Sequence, residues 1–82
     1  MAKAEDLKEL LKHFDDETSE RLSHLVAEGS FTTEHVKELI RLTSKRSEYR
    51  DADALDSVLE DAEEMDAPAF KAWVDHIIKE GQ

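Results

Sequence analysis

The sequence predicts an all-α protein, a small compact bundle of four or five short helices. Three observations carry this prediction. Apolar residues recur at spacings of three and four along most of the chain, and no stretch alternates with period two. Two glycines, one proline and few aromatic or β-branched residues leave little material for strands and tight hairpins. Aspartate or threonine stands ahead of successive apolar stretches, where helix N-caps belong. The spacing places helices at about 4–14, 17–28, 33–47, 53–65 and 68–80, in one domain spanning 1–82.

The first two segments share one stripe: Leu7, Leu10, Leu11 and Phe14, then Leu22, Leu25 and Val26. Only Thr18 bridges the polar gap between them, yet the phase is kept, so 4–28 also reads as a single helix. Such a helix would be about 38 Å long, whereas a compact chain of this size is about 30 Å across. An overhang of that kind would favour a dimer. Asp15 and Asp16 are good N-caps and Glu17 suits a first turn, so the reading favours a break or sharp kink at Asp15–Asp16.

Gly29 is placed to close the second segment in a left-handed conformation. Thr32 then caps the third helix, with Phe31 stapling onto Val36. This helix carries two apolar seams. One is Val36, Leu39, Ile40 and Thr43; the other runs through His35, Leu39, Leu42, Arg46 and Tyr49. A helix with two seams packs centrally or offers one seam to a partner, and central packing is the expectation.

The polar stretch Ser44–Asp51 contains the next turn, and Asp51 or Asp53 can cap the helix that follows. From Asp51 to Asp66 the chain holds eight carboxylates and no base, against a net charge of −10 for the whole protein. Leu55, Val58, Leu59, Ala62 and Met65 still form one helical stripe, which argues for a folded helix with an anionic outer ridge. Asp66-Ala67-Pro68 starts the last helix, with aspartate as cap and proline at an early position. Phe70, Trp73, Val74, Ile77 and Ile78 make its stripe, with Phe70 and Trp73 expected at the centre of the core, and Gly81 is the expected stop.

Most chemistries are poorly supported. There is no cysteine, hence no disulfide, zinc-thiolate site or cysteine nucleophile, which fits a reducing compartment. A Glu-x-x-His pair for a carboxylate-bridged metal centre does not occur, and His13, His24, His35 and His76 are scattered one to a segment. Asp51-x-Asp53 begins like a calcium loop. Leu55 at position five, Asp56 where glycine is needed and Ala62 at position twelve rule that out. Neither a nucleophile elbow nor a phosphate-binding glycine loop is found. The reading is non-enzymatic, with no catalytic, cofactor or metal residues. No apolar run reaches the roughly 18 residues of a membrane span, and the N-terminal MAKAEDLKELLK lacks a signal-peptide core, so a cytoplasmic protein is expected.

Two charged surfaces remain. Lys37, Arg41, Lys45, Arg46 and Arg50 place five cations among Glu34, Glu38 and Glu48, the pattern of a nucleic-acid-binding helix. The interleaved acids and the acidic neighbour disfavour direct nucleic-acid binding. Packing of this helix beside the acidic one, with ion pairs between them, explains the cations better. The second surface is the ridge of Asp53, Asp56, Glu60, Asp61, Glu63 and Glu64. Like charges at i,i+4 and acids at the negative end of the helix dipole each cost a few tenths of a kcal/mol. The expectation is a small acidic adaptor, regulator or inhibitor that docks on a basic surface of another protein. Nucleic-acid mimicry is a specific version of it, since residues four apart rise about 6 Å along the axis, near the spacing of phosphates along a strand. One alternative is a self-associating structural protein, a homodimer built on the seam of His35, Leu42 and Tyr49 or on the face of Trp73, and another is nucleic-acid binding through the basic helix 37–50.

Overall fold

The computed structural model describes residues 3–80, with side chains from Leu7 onward. It is all-α: α1 Lys3–Leu11, α2 Asp16–Glu28, α3 Thr33–Lys45, a 3-10 helix Ser47–Arg50, α4 Ala52–Ala62 and α5 Ala67–Glu80. The expected stop at Gly81 lies outside the described residues.

The chain breaks between α1 and α2, and Asp15 makes the break. Its carboxylate accepts from the Thr18 N–H at 2.8 Å and occupies the N-cap of α2. That hydrogen bond holds the Asp15 carboxyl below its ordinary pKa. α1 ends three residues earlier than its apolar stripe suggests. Lys12, His13 and Phe14 tighten into i→i−3 bonds, and the Ser19 hydroxyl donates to the Leu11 carbonyl at 2.8 Å, satisfying one terminal acceptor of α1. With two helices in place of one, the overhang argument for a dimer falls. The Cα radius of gyration is 11.9 Å, that expected for a compact chain of this length.

Gly29 closes α2 at φ +86°, and the N–H groups of Ser30 and Phe31 reach back to the Leu25 carbonyl. Thr32 caps α3 as its sequence implies, and its capping-box partner is His35. Glutamate or glutamine usually fills that role. The Thr32 N–H donates to His35 Nδ1 at 3.1 Å, and His35 Nε2–H donates to the Met65 carbonyl at 2.8 Å. This pattern corresponds to the neutral imidazole with its proton on Nε2. The ring is buried, stacked 4.7 Å from Phe31 and 5.7 Å from Phe70.

α3 is the central helix. It packs most extensively on α5, and also on α1 and on the 3-10 helix. Both of its seams are consumed: Val36, Leu39, Leu42 and Thr43 are buried. The core closes around them with Leu22 and Leu25 of α2, Leu55, Val58, Leu59 and Ala62 of α4, and Phe70, Val74 and Ile78 of α5. Phe70 is fully buried, as expected. Trp73 is only half-buried, stacked 5.9 Å from Phe70 at the edge of the core, so the prediction that it sits at the centre is corrected.

The stretch after α3 is more ordered than its polarity suggests. Arginines at helix ends explain why. Arg46 donates to the Ile77 carbonyl in the last turn of α5 at 2.7 Å, and Arg50 Nε donates to the Thr43 carbonyl in the last turn of α3 at 3.1 Å. Asp51 caps α4 through the N–H groups of Asp53 and Ala54. α4 stops at Ala62, three residues short of the expected end, so Glu63 and Glu64 lie past its last turn. Three clustered carboxylates disfavour extending a helix at its negative end, and the Met65 carbonyl is held by His35 instead. Asp66 accepts from the Ala69 N–H at 2.9 Å and starts α5, with Pro68 in its first turn.

Candidate functional site

The acidic face is built by α4 and the turn after it. Leu55, Val58, Leu59 and Ala62 anchor one side of the helix in the core. That leaves Asp53, Asp56, Glu60, Asp61, Glu63 and Glu64 exposed. The structure thus brings the six predicted residues onto one segment of surface, with Glu63 and Glu64 carried by the turn instead of the helix.

The eight carboxylates between Asp51 and Asp66 do three different things. Asp51 and Asp66 are spent as caps of α4 and α5. Asp56 and Glu63 are paired with Arg21 of α2, which contacts Asp56 directly and lies 3.9 Å from Glu63. Asp53, Glu60, Asp61 and Glu64 form no ion pair or side-chain hydrogen bond among the described residues. Arg21 is the residue that sequence reasoning missed. It shares the seam of Thr18, Leu22 and Leu25, but nothing in the sequence says that this edge of α2 meets α4. Between the two helices lies an open groove of about 280 Å³, with Leu55 and Leu59 below and Glu17, Arg21, Asp53 and Asp56 at its rim.

The cations of α3 do not neutralise this face, so the expected α3–α4 ion pairing is corrected. Lys37 pairs with Glu34 at 3.5 Å, within α3. Arg41 bonds Glu38 at 2.6 Å and also Asp75 of α5, which raises the Arg41 pKa and holds the Asp75 carboxyl below its ordinary value. Arg46 is 2.5 Å from Glu48, with the same consequence: the guanidinium is pushed up and the Glu48 carboxyl down. The physical reason is packing: α3 lies chiefly against α5 and α1. Four of the five cations proposed for nucleic-acid contact are therefore already engaged with carboxylates or a helix-end carbonyl. Lys45 forms no ion pair among the described residues.

The residues proposed for self-association lie on three elements: Leu42 on α3, Tyr49 on the 3-10 helix and Trp73 on α5. Leu42 is fully buried and drops out of any exposed seam. Tyr49 is half-buried on the 3-10 helix, its ring 5.9 Å from the Arg46 guanidinium, and Trp73 is half-buried on α5. Among the described residues no three His, Asp or Glu side chains converge to hold a metal ion, and no helix is long and apolar enough to cross a membrane. Compared with protein-family models, curated proteins and solved structures, the chain matches none.

Proposed function

We propose that this protein is a non-enzymatic interaction module whose acidic face docks on a basic surface of another protein, as an adaptor, regulator or inhibitor. The observation that carries this reading is the division of labour among carboxylates. Lys37, Arg41 and Arg46 pair with carboxylates elsewhere in the fold and Arg21 reaches only Asp56 and Glu63, yet Asp53, Glu60, Asp61 and Glu64 stay exposed on a segment anchored by four buried side chains. A surface selected for stability alone would mix bases into that face, because like charges one turn apart are unfavourable. A cationic partner would remove this repulsion on binding, and the net charge of −10 would accelerate the encounter. A partner groove that normally holds nucleic acid is one surface of the required kind.

The test is affinity capture from source lysate with the wild-type chain and a Glu60→Lys, Asp61→Lys, Glu64→Lys variant, washed at about 0.1 M and about 1 M salt, over which the screening length falls from about 10 Å to 3 Å. Circular dichroism should show the variant folded. Its partners should be lost, and those of the wild type should leave at high salt. Retention of the same partners by the variant would overturn the reading.

A further inference from the structure

A second polar hollow lies where the α1–α2 turn, the end of α3 and the 3-10 helix meet. It has a volume of about 210 Å³ and is lined by His13, Ile40, Thr43, Ser44 and Arg50. In a chain with 21 acids and 11 bases its lining contains no carboxylate. Arg50 is unusual here. Arg21, Arg41 and Arg46 each contact a carboxylate, whereas Arg50 forms no ion pair among the described residues. Its one side-chain hydrogen bond among the described residues runs from Nε to the Thr43 carbonyl at 3.1 Å, which fixes the guanidinium and leaves both Nη groups as donors. The Thr43 hydroxyl is committed to the Ile40 carbonyl at 3.1 Å. His13 and Ser44 are exposed and have no side-chain hydrogen bond among the described residues. Three residues that carry hydrogen-bond donors, His13, Ser44 and Arg50, thus border one small hollow from three segments.

We infer that this hollow binds a tetrahedral oxyanion, inorganic phosphate or the phosphate of a small monoester. A carboxylate would be satisfied by the guanidinium edge alone, whereas phosphate offers further oxygens for donors arriving from other sides. The helix-end bond of Arg50 accounts for Nε and not for the two Nη groups. An adjoining hollow of about 220 Å³ shares His13, Thr43 and Arg50 and adds Phe14 and Leu55, room for the apolar part of an ester. Asp15 also lines the adjoining hollow, but its carboxylate is turned to the Thr18 N–H. The net charge of −10 opposes any anion, so weak binding is expected, with a Kd on the order of 1 mM.

The experiment is an NMR titration of the labelled full chain with sodium phosphate, at constant pH and with sodium chloride holding ionic strength equal. The His13 ring, the Arg50 Nε–H and the Ser44 amide should shift together and saturate. Arg50→Gln should weaken the response about tenfold, as loss of one charge-assisted contact does. Ser44→Glu, which puts a carboxylate in the hollow while leaving the Arg50–Thr43 bond intact, should abolish it. Acetate should bind distinctly more weakly than phosphate. Phenyl phosphate binding tighter than phosphate identifies a monoester as occupant, and equal binding identifies the inorganic ion. Shifts that fail to saturate, that survive Ser44→Glu, or that acetate reproduces at equal concentration would overturn the assignment.

Discussion

Replacing His35 by alanine would leave the Thr32 N–H and the Met65 carbonyl without their partner, beside a hole between Phe31 and Phe70. Lost packing and unmet polar groups together should cost about 2–4 kcal/mol in chemical denaturation. His35→Gln should cost less, because its amide oxygen can still accept from Thr32 in the usual manner of a capping box. An alanine variant within about 0.5 kcal/mol of wild type, the scatter expected of an inconsequential surface change, would show that neither bond matters. The apolar seam in the sequence marks His35 as a buried position. Its two hydrogen bonds could not be read there, because Met65 lies thirty residues away and helical spacing says nothing about which turn will face a given ring. Asp15, Glu48 and Asp75 are all held below their ordinary values by hydrogen bonds to the folded chain. Their contribution to stability is complete above the unfolded carboxylate range, near pH 4, and is lost as the pH falls through the lower folded values. The melting temperature should therefore drop as the pH falls below about 4, and Asp75→Asn should make that drop shallower.

Element boundaries follow local chemistry where a cap decides them. Asp15, Gly29, Thr32, Asp51 and Asp66 all occupy the capping or terminating positions that their neighbours in sequence imply. Gly29 gives a clean test, because a Cβ added there meets nothing within 4 Å. The cost of Gly29→Ala is then the left-handed backbone alone, about 1–2 kcal/mol by denaturant unfolding, and Gly29→Asn should recover part of it. Boundaries set by tertiary partners were not legible. α4 ends early where His35 takes the Met65 carbonyl, and the 3-10 helix is stabilised by arginines that reach other helices. Within α4, Asp56 and Glu60 remain a like-charge pair one turn apart. Glu60→Lys should raise stability by about 0.2–0.5 kcal/mol. A loss of that size would mean that Glu60 has a structural role.

For the whole molecule, composition and periodicity suffice to give the all-α class and most of the core, with Trp73 the exception. The pairing of helices is another matter. Charge pattern suggested α3 beside α4, whereas packing places α3 chiefly against α5. Surface ion pairs contribute about 0–1 kcal/mol each and cannot dictate topology against burial of a stripe. The excess negative charge should nonetheless be visible in solution. Raising sodium chloride from about 10 mM to 150 mM shortens the screening length from about 30 Å to 8 Å and should raise the melting temperature. The triple lysine variant of the acidic face should respond less. If the wild type melts lower in salt, the ion pairs around Arg41 and Arg46 outweigh the repulsion.

The three side-chain hydrogen bonds that span about thirty residues, His35 to Met65, Arg41 to Asp75 and Arg46 to Ile77, start in α3 or at its C-cap and end in α5 or in the turn before it. Closing that long loop costs chain entropy that only the α3–α5 contact repays, so this pairing should form at the rate-limiting step of folding. In a chevron experiment Leu39→Ala should slow refolding, with a φ-value of about 0.5–0.8, whereas Leu55→Ala in α4 should mainly speed unfolding, with φ of about 0–0.3. The acidic segment would then take its place after the α3–α5 pair and leave before it.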